Sequence, residues 1–422
     1  MPDSAISAIV SWTTSQGLAG TNELDLLTGF CERMQDQGVS LWRASVGLES
    51  LHPVIGARGF MWRSDGRGVR LEDYPRLNDD DDTHEYIRSP FFALHQSDET
   101  RLRRRLAADQ TEGEFPLLDG FRAEGATDYV AFKTPLGGTG RIGDWDEIYT
   151  SWATDRQDGF TDRDLVVLDA TLPHLVLALK SAAQHWNTRT LLETYLGRDA
   201  GGRILCGEID RGSLQTLDAV LWSSDLTGFT RIADTIDKEQ LISLLNEYAD
   251  CVAQAVHRHK GHVLKFIGDG VLAAFDAGEC RCAISQAIKA AEDALRSTSQ
   301  LHRTRQAAGL SAPSLRIALH RGEVLYGNIG SEDRLDFTVV GPAVNEVSRI
   351  VDMCRSLDQP LILSSAFASA AQHGSDRLVS LGRYALRGVR QPQELFTLEP
   401  GSEAVEKEAA MASANATEAP AA

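Results

Sequence analysis

Two aspartates in this chain are placed for metal chemistry. Asp269 stands in the Gly-Asp-Gly break of "HVLKFIGDGVLAAFD", residues 262–276, between two apolar runs. Asp225 stands where the strand-like run "LDAVLWSS" passes into "DLTGFT". Apolar runs on either side of such a break read as a hairpin, and strand ends on one sheet edge can bring the two carboxylates together. Carboxylates held close repel each other unless a cation lies between them. A hard divalent cation such as magnesium accepts oxygen ligands in that arrangement and keeps positions open for phosphate oxygens. Gly268 and Gly270 suit a turn that needs unusual backbone angles and room for a ligand. Read by itself, an aspartate between two glycines is simply a good turn residue; the second carboxylate gives the metal reading its content.

The elements that must position this pair lie in the second half of the chain. From about 215 to 398, strand-like and helical runs alternate. The strand "LDAVLWSSD" leads to an amphipathic helix, "KEQLISLLNEYADCVAQAVHRHKG", stopped by Gly261, and then to the hairpin. The helix "CAISQAIKAAEDALRSTSQL" precedes strands "LRIALH", "EVLYGNIG" and "LDFTVV", a helix from Ala343, and strands "PLILS" and "ELFTLEP". This order predicts an α+β domain with helices on one face of a sheet.

Residues up to about 160 mix short strands ("TDYVAF", "EIYTSWAT") with polar and Gly-rich loops. The acidic run Asp79–Asp82 lacks the ligand alternation and turn glycine of a calcium loop and reads as solvated. Thr161 with Asp164 resembles an N-cap arrangement that opens a helix. Within that helix Leu165, Leu168, Leu172, Leu175 and Leu179 form one apolar stripe, and Pro173 should kink or split it. The stripe packs either on its own domain or on a parallel helix from a second subunit, continued by Ala182 and Trp186. Residues 401–422, rich in Ala and Glu and without bulky apolar side chains, read as a disordered tail.

Composition narrows the function classes. A chain of 422 residues with 42% hydrophobic and 24% charged content suits two or three soluble domains. A net charge of −18 argues against a general nucleic-acid partner, because phosphate backbones need clustered Lys and Arg. The basic run "RLRRRL" at Arg101–Arg105 is the exception and reads as a solvated helix face. An anionic substrate then needs a local positive site or a metal. Six cysteines without a regular framework suit a reducing compartment; Cys280 and Cys282 have a poor spacing for a metal or a disulfide. The N-terminus lacks the pattern of a secretory signal. The most apolar stretch, "LVVLDATLPHLVLALKSAA", is interrupted by Asp169, Pro173 and His174 and falls short of a membrane span, so a cytoplasmic location is expected. His257, His259 and His262 point to different faces and read as solvent-exposed rather than as a zinc site.

Four motifs taken together are more specific. "SDLTGFT" (224–230), "VLKFIGDGVLAAF" (263–275), "LHRGEVLYGNIG" (319–330) and "DFTVVGPAVNEVSR" (336–349) resemble, in order and spacing, the catalytic domain of class III adenylate and guanylate cyclases. The resemblance implies a ferredoxin-like sheet over residues 215–400 and active sites shared between the two catalytic domains of a homodimer. It also implies two Mg2+ or Mn2+ ions that assist cyclisation of a nucleoside triphosphate. On it, Asp225 and Asp269 are the metal ligands. Thr227, Gly228, Phe229 and Thr230 form the loop whose amides hold the triphosphate, which is sensible for a turn entering a helix N-terminus.

The same resemblance speaks to the base. Lys265 matches the family's adenine-contacting lysine, and Thr338 stands where animal adenylate cyclases carry an aspartate. Lysine with threonine resembles the bacterial and soluble subgroup often linked to bicarbonate stimulation, whereas guanylate cyclases place glutamate and cysteine there. ATP is thus the implied substrate, with cyclic AMP and pyrophosphate as products; a guanylate cyclase and a catalytically silent nucleotide-binding protein are the alternatives. Asn345 and Arg349, four apart on one helix face, match the asparagine that orients the ribose and the arginine that stabilises charge on the α-phosphate. A fixed cation suits a transition state that gains charge there. Glu323 stands where some members carry a phosphate-binding arginine, which leaves Arg321 or Arg387 for that task.

Upstream, "EIYTSWATDRQDGFTDRDLVVLDATLPHLVLAL" resembles the closing strand and last helix of a GAF-type sensory domain. The implied organisation is an α/β GAF-like domain at 1–180 with a small-molecule effector, a helical connector at 181–214, the catalytic domain at 215–400 and the tail.

Overall fold

A computed structural model describes residues 2–76, 86–107, 112–136, 147–278, 282–371 and 377–399. The chain divides into two units, Met1–Leu191 and Leu192–Ala422. The run Asp79–Asp82, Cys280 and the tail 401–422 lie outside the described residues.

The first unit is an antiparallel sheet with helices. Helices α1 (Pro2–Ala19) and α2 (Glu23–Asp36) precede strands β1 (Arg43–Glu49), β2 (Ile55–Arg63) and β3 (Val69–Pro75). Helix α3 (Pro90–His95), strand β4 (Arg101–Arg104), helix α4 (Pro116–Ala123), strands β5 (Asp128–Pro135) and β6 (Glu147–Thr154) and helix α5 (Asp162–Leu196) follow. The strand order is β3-β2-β1-β6-β5-β4. Alternation along β1 sends Ala44, Val46 and Leu48 to one face, where they meet Phe30 and Met34 of α2 and the leucines of α5. The opposite face carries a smaller cluster, with Leu118 and Phe121 of α4 over Tyr129.

Two expectations change here, and a third that was left open is decided. The basic run forms strand β4 rather than a helix face, paired with β5. Its arginines are held by carboxylates: Arg103 reaches the fully buried Asp128 at 2.5 Å and Arg104 reaches Glu114 at 2.5 Å. Second, α5 opens as expected, with the Thr161 amide donating to Asp164 Oδ2 (2.9 Å) and the Asp164 amide to Thr161 Oγ1 (3.2 Å), a reciprocal cap. It then runs unbroken through Pro173, because Leu172, Leu175 and Val176 on either side are locked in the core. By length and composition this helix could cross a bilayer, although 56% of its most apolar stretch is buried in the protein.

Third, the leucine stripe closes the unit's own core and is not left for a second subunit. Leu168, Leu175 and Leu179 are 0% exposed and lie in one cluster with Leu165 and Leu172. Trp186 is likewise taken, its ring lying 4.1 Å from the Arg58 guanidinium carbon. Leu168→Ala is therefore expected to cost about 2–5 kcal/mol of this unit's stability, with hydrodynamic size unchanged while the protein remains folded. A thermal melt alongside sedimentation checks this; an unchanged melt with a lost dimer would restore the pairing role.

The second unit contains helix α6 (Arg198–Leu205), strand β7 (Leu214–Leu226), the short helix α7 (Phe229–Ala233), helix α8 (Lys238–Arg258), strands β8 (His262–Ile267) and β9 (Gly270–Asp276) and helix α9 (Ala283–Ala307). Strands β10 (Leu315–Gly330) and β11 (Leu335–Val340), helix α10 (Pro342–Leu357), strand β12 (Leu361–Ser364), helix α11 (Ser365–Ala370) and strands β13 (Leu378–Tyr384) and β14 (Gln393–Leu398) complete it. The sheet runs β13-β14-β12-β10-β7-β9-β8, with β11 paired to β10. Its β10-β7-β9-β8 portion is a split βαβ arrangement, in which β9 lies between β7 and β8.

Both faces of this sheet are covered, not one. Val220 and Trp222 of β7 pack with Tyr248 of α8 and Ala287 and Ala291 of α9. Ala219 and Leu221 face the other way, toward Ala200 of α6 and Val347 and Ile350 of α10. The period of two along β7 divides the two layers. Helix α8 ends at Arg258, and Lys260 takes the left-handed turn (φ 63°). Gly261 matters for space, since a Cβ there would lie 2.5 Å from the Phe275 ring.

Candidate active site

The hairpin of β8 and β9 brings Asp269 to the end of β7. Its turn is two residues long, with Ile267 opposite Gly270, and Gly268 takes φ 63°, the positive angle that the first central position of a type II′ turn requires. Gly270 has a different task from the one its sequence context implied. A Cβ there would stand 2.8 Å from the Ser224 carbonyl of β7, so the glycine lets two backbones close up rather than making room for a ligand. Across this contact the Leu226 amide donates to Asp269 Oδ2 at 3.0 Å. Asp225 is the residue just before that amide.

Asp225 carries the clearest electrostatic signal in the unit. Its Oδ1 is buried without a hydrogen-bond partner, although buried polar atoms are nearly always paired. Burial pushes its carboxyl up to about 6; Arg316, its cross-strand neighbour on β10, pulls the other way, and Asp269 and Asp352 push further up. An orphaned carboxylate oxygen beside a second carboxylate fits a divalent cation with oxygen ligands. Among the described residues no cluster of three or more His, Cys, Asp and Glu side chains is present, so a metal here would complete its shell with water or substrate oxygens. His257, His259 and His262 form no such cluster, and His259 is paired with Asp293 at 2.7 Å.

The phosphate-loop candidates follow β7 directly. The Thr227 amide donates to the Ser314 carbonyl (2.9 Å) and is not available to a ligand. Gly228 takes φ 71° and leads into α7, which has five residues, Phe229 and Thr230 at its start. The first-turn amides of any helix lack intrahelical acceptors. Phe229 also packs against the core beneath.

Lys265 lies on the edge strand β8 beside a bulge between Val263 and Lys265, an irregularity that re-aims side chains. Its ammonium donates to Asp336 on β11, with both side chains about half-exposed (46% and 48%). Thr338 is two residues along β11 and half-buried, hence on the same strand face as Asp336. Asp336 is the residue sequence reasoning missed, although its position two before Thr338 was a usable signal.

Asn345 and Arg349 are exposed on α10, and Arg349 reaches Asp352 one turn on, at 3.5 Å. The structure thus brings together Asp225 with Asp269, and Lys265 with the strand of Thr338, while Asn345 and Arg349 stand on a separate helix. Of the basic substitutes for Glu323, Arg321 is held by Asp218 at 2.5 Å and Arg387 is exposed. The described cysteines Cys31, Cys206, Cys251 and Cys354 are free, whereas Cys282 is in a disulfide, against the expectation from its spacing.

Comparison with known proteins places this unit. The family model "Adenylate and Guanylate cyclase catalytic domain" matches residues 215–400. An adenylate cyclase of Anabaena cylindrica is 28% identical over 158 residues, covering 37% of this chain and 32% of that protein. An uncharacterized protein of Mycobacterium tuberculosis is 30% identical over 237 residues, 55% of this chain and 41% of its own. The chain thus spans less than half the length of these curated relatives. Among solved structures, a bacterial light-regulated adenylyl cyclase aligns with a TM-score of 0.46 and 24% identity, over 55% of this chain and 64% of that one. Residues 215–400 belong to the family of adenylate and guanylate cyclase catalytic domains.

Proposed function

We propose that the chain is an adenylate cyclase, a phosphorus–oxygen lyase that converts ATP to 3′,5′-cyclic AMP and pyrophosphate as a homodimer. The observation that carries this is the orphaned, buried Asp225 oxygen beside Asp269 in a domain of the cyclase family. In this reading Asp225 and Asp269 would hold two Mg2+ or Mn2+ ions, which would lower the pKa of the ribose 3′-hydroxyl and offset charge on the phosphates. The chain's own residues do the rest. Thr227, Gly228, Phe229 and Thr230 border the triphosphate, with the Gly228–Thr230 stretch supplying main-chain donors. Asn345 orients the ribose, and Arg349 supplies a fixed cation where the α-phosphate gains charge. Lys265 donates to an adenine ring nitrogen, and Thr338 offers a hydroxyl to the exocyclic amine. The antiparallel first unit, with a polar edge and a second small core, serves as a GAF-like sensory domain for a small effector.

Purified protein assayed with ATP and GTP in turn, with Mg2+ or Mn2+ and products separated by chromatography, tests the substrate. Cyclic AMP is expected, with Lys265→Glu lowering ATP turnover about tenfold or more, the scale of one lost charge-assisted hydrogen bond. Cyclic GMP as the main product would transfer the reading to a guanylate cyclase, and no product from either nucleotide would leave a nucleotide-binding regulator.

A further inference from the structure

Helix α10 is seated on β10 through a buried polar chain whose members, His320, Glu346, Ser364 and Gln393, have no part in the metal, phosphate or base contacts assigned above. His320 of β10 is 4% exposed. Its Nδ1 lies 2.9 Å from Ser364 Oγ, and that oxygen also accepts the Phe367 amide at 3.1 Å as the cap of α11. Its Nε2 lies 3.7 Å from Glu346 Oε2 on α10. Gln393 of β14 donates to the same Glu346 oxygen at 2.6 Å. Beneath them Gly322 lets the helix approach: a Cβ there would stand 2.6 Å from Ala343 Cβ and 3.1 Å from His320 Nε2.

Glu346 is flanked on α10 by Asn345 and is three residues before Arg349. A helix turned about its axis by a shift at Glu346 carries both with it. We propose that His320 is a positioning residue: through Glu346 it sets the rotation of α10, and so where Asn345 and Arg349 present their groups to the nucleotide. This rests on the assignment of Asn345 and Arg349 to substrate made above.

The device is also proton-sensitive. Burial holds the imidazole below its ordinary value, opposed by Glu346, so it is neutral near pH 7. Glu346 is the charged group acting on it among the described residues; β7 presents Leu221 opposite it, and Ser364 and Gln393 are neutral. Below the lowered value the imidazolium attracts Glu346 across a gap of 3.7 Å, a separation that a charge-assisted hydrogen bond would shorten. The helix then moves away from its neutral-state position, and turnover falls.

The test measures kcat and KM for ATP from pH 5 to 8 with metal ion at saturation, so that protonation of the aspartates is suppressed. His320→Gln and Glu346→Gln are each compared with the parent protein. Misplacing reacting groups by an ångström costs up to about a hundredfold. The expected result at pH 7.5 is a tenfold or greater loss of kcat with KM within about twofold, and an acid limb below pH 6.5 that is present in the parent and absent in both variants. Variants with parental kcat, or with a reduced kcat and an unchanged acid limb, overturn the proposal. Thermal melts identify a variant that fails to fold, and His320→Asn, which also removes the titrating ring and leaves Ser364 and Glu346 in place, then replaces it with the same expected flattening and the same overturning outcome. Arg349→Ala is the control: if it retains parental kcat, the assignment of α10 to substrate fails, whereas its loss beside a silent His320→Gln fails the positioning role alone.

Discussion

Asp225→Asn and Asp269→Asn are each expected to lower turnover by about a thousandfold or more while the fold persists. Each exchange removes one anionic ligand, and the charge offset by a divalent ion at a reacting phosphate amounts to several kcal/mol, with about 4 kcal/mol being a thousandfold. Little packing is lost, because Asn keeps the shape and, at position 269, the acceptor for the Leu226 amide. The two variants should differ in stability. The Asp225 carboxyl is raised to about 6, with burial the first cause, so its ionised form is disfavoured in the folded chain. For an acid raised on folding, the unfavourable term is absent below the unfolded value and fully present above the folded one. Metal-free Asp225→Asn should therefore melt above the parent at pH 8 and lose that advantage toward pH 4. Metal binding must also displace a proton below about pH 6, so the parent's affinity for Mn2+ should fall about tenfold per unit there. Thermal melts with a chelator and titration calorimetry read both effects without any turnover. A variant with near-parental activity would remove the metal assignment.

Mixing two dead chains should restore activity. In the proposed homodimer each site takes its metal aspartates from one protomer and Lys265, Thr338, Asn345 and Arg349 from the other. Asp225→Ala and Arg349→Ala chains are then each inactive alone, but a mixed dimer has one site with both lesions and one with none. With random exchange half the dimers are mixed, and about a quarter of parental activity returns, as the two-fold symmetry of an isologous dimer requires. Asn345 and Arg349 are exposed on α10 and so open to a second protomer. A mixture that stays inactive, although mass measurement shows that the chains have exchanged, would refute the shared site.

Much of this protein was legible as sequence because the signals were local. The Gly-Asp-Gly turn, the Thr161–Asp164 cap and the strand at "LDAVLWSSD" depend on residues a few positions apart, so propensity and period reported them correctly. The order of four motifs likewise sufficed for the catalytic family, since each motif keeps its own chemistry. What stayed open or was misread was anything that depended on which surface faces which. The leucine stripe of α5 has the same spacing whether it meets a sibling helix or its own sheet, and only the packing of Leu168, Leu175 and Leu179 at 0% exposure decided. The basic run at Arg101 became a strand because β5 and the buried Asp128 were there to pair with it. Gly270 and Gly261 are glycines on account of backbone and rings that approach from elsewhere in the chain. The partners Arg316, Asp336, His320 and Glu346 lie far in sequence from the groups they act on. Sequence period fixes which face a residue occupies, whereas the register between strands and the seat of α10 on β10 fix its neighbours, and those arise only when the sheet closes.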